Sequence, residues 1–314
     1  MTLLYDDPCF LHHETGAHPE RAERIRVAGE RLERSGLSGQ CIRPKWSDVS
    51  PARLARVHAQ RYINEVWALA KSGGGDLEAE TVVSPASHSV ALHAAGAVCN
   101  AAERVVRGED RNAFCLIRPP GHHALLDRAM GFCLFNNVAI AARAAINDLG
   151  LERVLIVDWD IHHGNGTQAT FWEDPQVGFL SIHRWPFYPG TGAADEIGEG
   201  AGRGFTANLP VEYGTPRKQY IGRFAAALET FTEKLKPQLV FLSAGFDPHR
   251  RDPVGDLGLE TEDFLPLTTL VLEAAEAYAG GKLVSVLEGG YNPAVNADCI
   301  ELHVGELLRR SGER

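Results

Sequence analysis

The chain has 314 residues, 44% of them hydrophobic and 23% charged, an ordinary globular composition that excludes wholesale disorder. Lys and Arg number 31 against 41 Asp and Glu, a net charge of -10, which argues against a protein whose own field holds nucleic acid or an anionic membrane. No apolar run reaches the roughly 18 residues of a membrane span, and Asp6 and Asp7 stand where a secretory signal needs bases. Six Cys without a CxxC spacing read as reduced thiols of a cytoplasmic protein, and exclude zinc-finger and disulfide scaffolds.

Along the chain, residues 19–34 read as a surface helix opened by Pro19 in its first turn. Residues 73–75 form a Gly-rich loop, and 87–107 an alanine-rich helix ending near Gly108. An apolar run at 113–117 is the first of five; the others are 154–157, 177–182, 239–242 and 283–287. Apolar on both faces, they predict parallel strands of an α/β sheet covered on both sides. Residues 136–149 read as a helix, 198–204 as a loop, and 217–236 as an amphipathic helix stopped by Pro237. Thr261 is the expected N-cap of a further helix, with Glu262 and Asp263 in its first turn. Neither Gly-rich segment has the strand–turn–helix context of a phosphate loop. Without repeats or a shift in composition, one domain over residues 1–314 is expected.

Ligands of a parallel sheet bind beyond the carboxyl ends of its strands, and there the polar residues gather. The five runs lead into Arg118-Pro-Pro-Gly-His122-His123, Asp158-Trp-Asp160-Ile-His162-His163-Gly-Asn165, Ser181-Ile-His183, Ser243-Ala-Gly-Phe-Asp247 and Glu288-Gly-Gly-Tyr291. Asp160 and His162, two apart on extended backbone, leave the same face. With Asp247 from another strand end they make three metal ligands with open positions, the pattern of catalytic zinc. Two carboxylates and an imidazole also suit Fe(II) or Co(II). The His122-His123 pair sits on a turn stiffened by two prolines, which places a general base without further ordering. Asp158 and Asn165 are candidates to orient the two rings, and Tyr291 to donate to an oxyanion.

With these residues in place the sequence resembles the zinc-dependent histone deacetylase family, most of all the class II-like bacterial members that include acetylpolyamine amidohydrolases. The match runs from His18-Pro19-Glu20 to Tyr291-Asn292, through RPPGHHA, GFCLFNN, DWDIHHGNGTQ, SIH followed by YPGTG, SAGFD and EGGYN. The resemblance implies the arginase–deacetylase fold, with a central eight-stranded parallel sheet and helices on both faces. It implies zinc on Asp160, His162 and Asp247, His123 as general base and acid, His122 as its electrostatic partner beside Asp158, and Tyr291 polarising the acyl carbonyl. It implies a structural potassium at Asp158, Ser181 and the carbonyls of Asp160, His162 and Ile182. Phe132 and Tyr188 match the walls of an acyl-lysine tunnel, Gly131 its floor, and Arg21 the arginine of an acetate-release channel.

Asn165 stands where class I members carry Asp, which leaves His123 less basic. Val254 stands where one polyamine-selective relative carries an acidic gatekeeper, which weakens the case for a polyamine. Residues 76–80 remain as an acidic rim for a substrate backbone or ammonium. The expected activity is metal-assisted hydrolysis of an acylated primary amine, an acyl-lysine peptide or a small acylated amine, with neither nucleic acid nor membrane as partner. Three alternatives stay open: an acetylpolyamine amidohydrolase, an arginase-like dimanganese hydrolase, and a non-catalytic acyl-lysine-binding protein.

Overall fold

Strands with no polar face cannot border water, and the five apolar runs all become interior strands or their immediate neighbours in one parallel sheet. A computed structural model describes residues 1–312. Its strands are β1 (Thr2–Tyr5), β2 (Gly75–Glu78), β3 (Thr81–Val83), β4 (Asn112–Cys115), β5 (Val154–Asp158), β6 (Val177–Arg184), β7 (Thr206–Val211), β8 (Leu239–Ala244) and β9 (Leu283–Leu287). The helices are α1 (Glu23–Arg34), α2 (Pro51–Leu54), α3 (Gln60–Lys71), α4 (Ser87–Val106), α5 (Asn137–Asn147), α6 (Asn165–Thr170), α7 (Arg217–Leu235), α8 (Phe264–Ala279) and α9 (Pro293–Gly312).

The sheet has seven parallel strands in the order β1-β4-β9-β8-β5-β6-β7, and β2 and β3 form a separate antiparallel hairpin. Seven replaces the expected eight. Outside β1, Ile42 makes one parallel bridge to Leu3 and exchanges hydrogen bonds with Thr2 and Leu4. Pro44 follows without an N–H, so pairing stops there. Edge strands β1 and β7 are additions to the five predicted strands.

Helices α7, α8 and α9 cover one face, with α1 packed on α9; α4 and α5 cover the other. The expected helix at 19–34 starts only at Glu23, and it buries Arg24, Ile25, Ala28 and Leu32 rather than riding on the surface. Asn136 caps α5 by accepting the Ala139 N–H. A 3-10 turn at Thr261–Asp263 precedes α8, with Glu260 and Asp263 capping each other's backbone, so Thr261 is not the cap. Among the described residues no helix is long and apolar enough to cross a membrane.

Candidate active site

Because the sheet is parallel, β4, β5, β6, β8 and β9 all deliver their following loops to one edge. Past β5, Asp160 turns inward: its Oδ1 accepts the His162 N–H at 2.9 Å and its Oδ2 the Gly289 N–H at 2.8 Å. Asp247, past β8, accepts the Ile161 N–H on Oδ1 at 3.0 Å. His162 Nδ1 lies 3.0 Å from Asp160 Oδ1 and 3.1 Å from Asp247 Oδ2. A Cβ on Gly289 would overlap the carboxylates of Asp247 and Asp160, so only glycine lets β9 close over them.

This donor set fits a divalent cation. One ligand atom from each of Asp160, His162 and Asp247 lies within 4.8 Å of the others. Asp247 Oδ2 is buried and, apart from the His162 ring nitrogen, has no hydrogen-bond partner, which is costly for a carboxylate oxygen unless a cation meets it. Burial, and then the Asp160 charge, push Asp247 up to about 7.

The two histidines of the rigid turn are treated differently by their surroundings. His122 Nδ1 lies 2.9 Å from Asp158 Oδ2. Burial opposes its charge, but Asp158 and Asp160 outweigh it and raise His122 to about 10. His123 Nδ1 lies 2.6 Å from the amide oxygen of Asn165. Burial, then the charges of His122 and His162, hold His123 well below its ordinary value. The pair is therefore one imidazolium and one neutral imidazole, with ring centroids 4.0 Å apart. Glu288 fixes the turn that carries them, accepting the N–H groups of Gly121 at 2.7 Å and His122 at 3.2 Å.

These groups open into a cavity of about 310 Å³ lined by His123, Gly131, Phe132, His162, Phe187, Tyr188, Val254, Tyr291 and the hairpin tip Glu78 to Glu80. Phe132 stands edge-on to Tyr291, and Tyr188 edge-on to His123. Phe187 stacks on His162 at 5.2 Å. Gly131 and Phe132 are both left-handed, at φ 55° and 70°; for an aromatic residue that conformation is strained, and it turns the ring into the cavity. Burial raises the Tyr291 phenol well above its usual range, which keeps it a proton donor.

The structure thus brings together His122, His123, Asp158, Asp160, His162, Asn165, Asp247 and Tyr291, and places Gly131, Phe132, Tyr188 and Val254 on the cavity wall. Asp158 and Ser181 are register partners on β5 and β6, with Ile182 next along. Arg21 departs from expectation. Its side chain is 42% exposed and pairs with Glu23. The buried arginine of α1 is Arg24, whose guanidinium lies over the Tyr291 ring at 4.7 Å and donates to the carbonyls of Gly290 and Glu288. Late onset of α1 moves the inward position three residues on. Phe187, Glu288 and Arg24 are the site residues that the sequence reading passed over. Glu288 stood visible at a strand end.

Comparison with known proteins agrees with this geometry. Residues 18–307 match the histone deacetylase domain family. Over 283 residues the chain is 40% identical to the histone deacetylase-like amidohydrolase of Pseudomonas aeruginosa, aligning 90% of this chain with 74% of that one. It is 38% identical over 320 residues to the Homo sapiens protein named polyamine deacetylase HDAC10, covering 98% of this chain and 46% of that longer one. The crystal structure of the HDA15 HD domain superposes with a TM-score of 0.91 at 34% identity, over 99% of this chain and 90% of that one. The chain belongs to the histone deacetylase domain family and is a hydrolase acting on amides.

Proposed function

We propose that the chain is a zinc-dependent deacetylase that cleaves the amide between a short acyl group, acetyl foremost, and a primary amine carried on a linear chain, as in N-acetyl-lysine. One observation carries this reading: a buried carboxylate oxygen short of partners, on Asp247, lies with Asp160 and His162 at a cavity whose walls are aromatic. Asp160, His162 and Asp247 would hold the ion, zinc by preference and Fe(II) or Co(II) by the same donor chemistry. When bound, it supplies Lewis acidity toward the acyl carbonyl and toward a water.

The chain's own groups do the rest. Neutral His123 takes the attacking water's proton as the O–C bond forms. The Tyr291 hydroxyl donates to the developing oxyanion. His123 then passes its proton to the amine nitrogen as the C–N bond breaks, releasing carboxylate and amine. His122, held charged by Asp158, contributes a fixed positive potential and moves no proton. Asn165, a neutral partner, orients His123 without making it strongly basic. Phe132, Phe187 and Tyr188 exclude water from the methylene chain. We assign a structural potassium to Asp158, Ser181 and the carbonyls of Asp160, His162 and Ile182. Free thiols at all six cysteines support a reducing, cytoplasmic setting.

A second reading within the same chemistry, an acetylpolyamine substrate, is favoured by Glu78 and Glu80 at the cavity mouth and opposed by apolar Val254. The deciding experiment compares kcat/KM for acetyl-lysine peptides, longer acyl-lysines, acetylspermidine and acetylputrescine on zinc-reconstituted protein. Hydrolysis of an acetyl-lysine peptide, blocked by a hydroxamate, is the expected result; binding without turnover would overturn the enzyme mechanism. Tyr291→Phe is expected to lose about 10²–10³-fold in kcat, as for one oxyanion donor, with metal content unchanged.

A further inference from the structure

A second group of metal-ligating side chains lies outside the catalytic cavity, where edge strand β1 ends. Asp7 begins the 3-10 turn Pro8–His12 and fixes it, its Oδ1 accepting the Cys9 N–H at 2.8 Å. This brings Asp7 and Cys9 up to His93 on α4, with one ligand atom from each of the three within 4.8 Å of the others. In a tetrahedral zinc site, ligand atoms stand about 3.4–3.6 Å apart by the usual bond lengths, so a modest contraction closes the set.

The imidazole is held as a ligand is held. Its Nδ1 lies 2.7 Å from Asp48 Oδ1. In the tautomer in which Nδ1 donates to that carboxylate, Nε2, 4.0 Å from Asp7 Oδ2, is the nitrogen free to ligate. Trp46 stacks on the ring at 4.8 Å and donates from Nε1 to the His93 carbonyl at 3.0 Å. The Val49 N–H is bound to the Leu92 carbonyl. A Cβ at Gly96 would overlap the Ser47 carbonyl, so only glycine, one turn along α4 from His93, admits this loop. Asp48 and the stacked Trp46 ring hold one imidazole, and the clamped loop carries both.

We propose that Asp7, Cys9 and His93 form a second, peripheral site for a thiophilic divalent ion, zinc or cobalt, with Asp48 positioning the imidazole. Binding converts the Cys9 thiol to thiolate, its proton passing to solvent. An ion there ties the end of the edge strand to α4. Thiolate with imidazole and carboxylate selects borderline metals over magnesium or calcium.

The test is a Co(II) titration of the full chain stripped of metal. The Asp160–His162–Asp247 cluster offers only oxygen and nitrogen, so a near-ultraviolet thiolate-to-cobalt charge-transfer band reports a cysteine ligand, and its loss in Cys9→Ser separates Cys9 from Cys133, which lies beside His122 and Glu288. We expect the band to saturate at one Co(II) beyond the equivalent taken up by the catalytic cluster in the wild type and in Cys41→Ser, and to vanish in Cys9→Ser and His93→Gln while deacetylation persists. Asp48→Asn should raise the Co(II) dissociation constant about 10-fold or more, the usual effect of losing an orienting partner. No band in the wild type, a band surviving in Cys9→Ser, or one lost only in Cys41→Ser would overturn the site. Should either ligand variant fail to fold, the Asp48→Asn titration decides, and an unchanged dissociation constant refutes the proposal.

Discussion

Two groups of fully buried charges adjoin each other behind the cavity, and they are completed in opposite ways. In the first, Glu20 Oε1 accepts from Arg24 at 2.9 Å and Arg118 at 2.6 Å, and Oε2 accepts from Arg118 at 2.7 Å. The spare guanidinium donors go to the carbonyls of Phe10, Gly290 and Glu288. In the second, the ion pairs of Asp158, Asp160 and Asp247 are with His122 and His162, Glu288 accepts from Ser243 and backbone N–H groups, and Asp247 Oδ2 has no partner apart from the His162 ring nitrogen. A buried anion met by arginines is compensated within the fold; one left short of positive charge is costly unless a cation meets it. On the proposed reading the deficit closes. His162 gives its lone pair to the metal, and the four carboxylates are met by the His122 imidazolium, one divalent ion and one potassium.

The sharpest way to break this comparison is Asp247→Asn, which keeps the acceptor for the Ile161 N–H and removes the surplus charge. Zinc at the catalytic cluster should be lost by elemental analysis and hydrolysis should fall to background. The metal-free variant should be more stable than metal-free wild type by about 1–3 kcal/mol and unfold at a higher temperature, because an under-compensated buried charge is gone. A lower melting temperature would show that the carboxylate is not in deficit. Arg118→Met makes the opposite case. It strips Glu20 of a bidentate partner and should cost about 3–5 kcal/mol in urea unfolding, with catalytic zinc retained. A loss under about 1 kcal/mol would reduce the arginine knot to incidental contact.

The same contrast explains what was legible beforehand. Strands β4, β5, β6, β8 and β9 are buried on both faces, so hydrophobicity alone marks them, and the site residues follow from being at their ends. β7 carries Asn208 and Pro210, as an edge strand tolerates, and β1 is four residues long; neither shows the continuous apolar run of an interior strand. Arg24 was missed for a tertiary reason. Glu20 is drawn into the core by Arg118, which keeps residues 19–22 out of the helix that Pro19 suggests, and the inward-facing register shifts to Arg24. Phe187 was hidden among Trp185, Phe187 and Tyr188, because nothing in a run of aromatics says which ring turns inward.

A third solution to burial is to keep the group neutral, and His58 shows it. Its Nδ1 lies 2.8 Å from the Leu125 carbonyl, and its Nε2 accepts the Asn136 N–H at 2.9 Å. A proton on Nε2 would face another N–H. Burial lowers His58 to about 4, below the ordinary 6.5. The unfolded chain therefore binds this proton first as pH falls, and stability is complete above about 6.5 and drains away down to about 4. Its share is on the order of 3 kcal/mol. His58→Gln keeps a donor and an acceptor but does not titrate, so its melting temperature should fall less steeply than that of the wild type between pH 6.5 and 4. Parallel slopes would remove His58 from the acid response.

The smallest effect belongs to charges that are not buried. Glu80, at the tip of the β2–β3 hairpin with φ 68°, is exposed at the cavity mouth with Glu78. No arginine or lysine is paired with either in the ion pairs of the described residues. Water and salt screen such charges, so each is worth at most about 1 kcal/mol toward a cationic substrate. Glu80→Gln should lower kcat/KM for acetylspermidine by about 2–5-fold at low ionic strength, leave a neutral acetyl-lysine peptide unchanged, and lose that difference as salt is raised. An equal fall on both substrates would mean that Glu80 shapes the hairpin, and the polyamine reading would lose the feature that favours it. A fall confined to the polyamine would instead place the rim, rather than the apolar residue at Val254, in charge of choosing the amine.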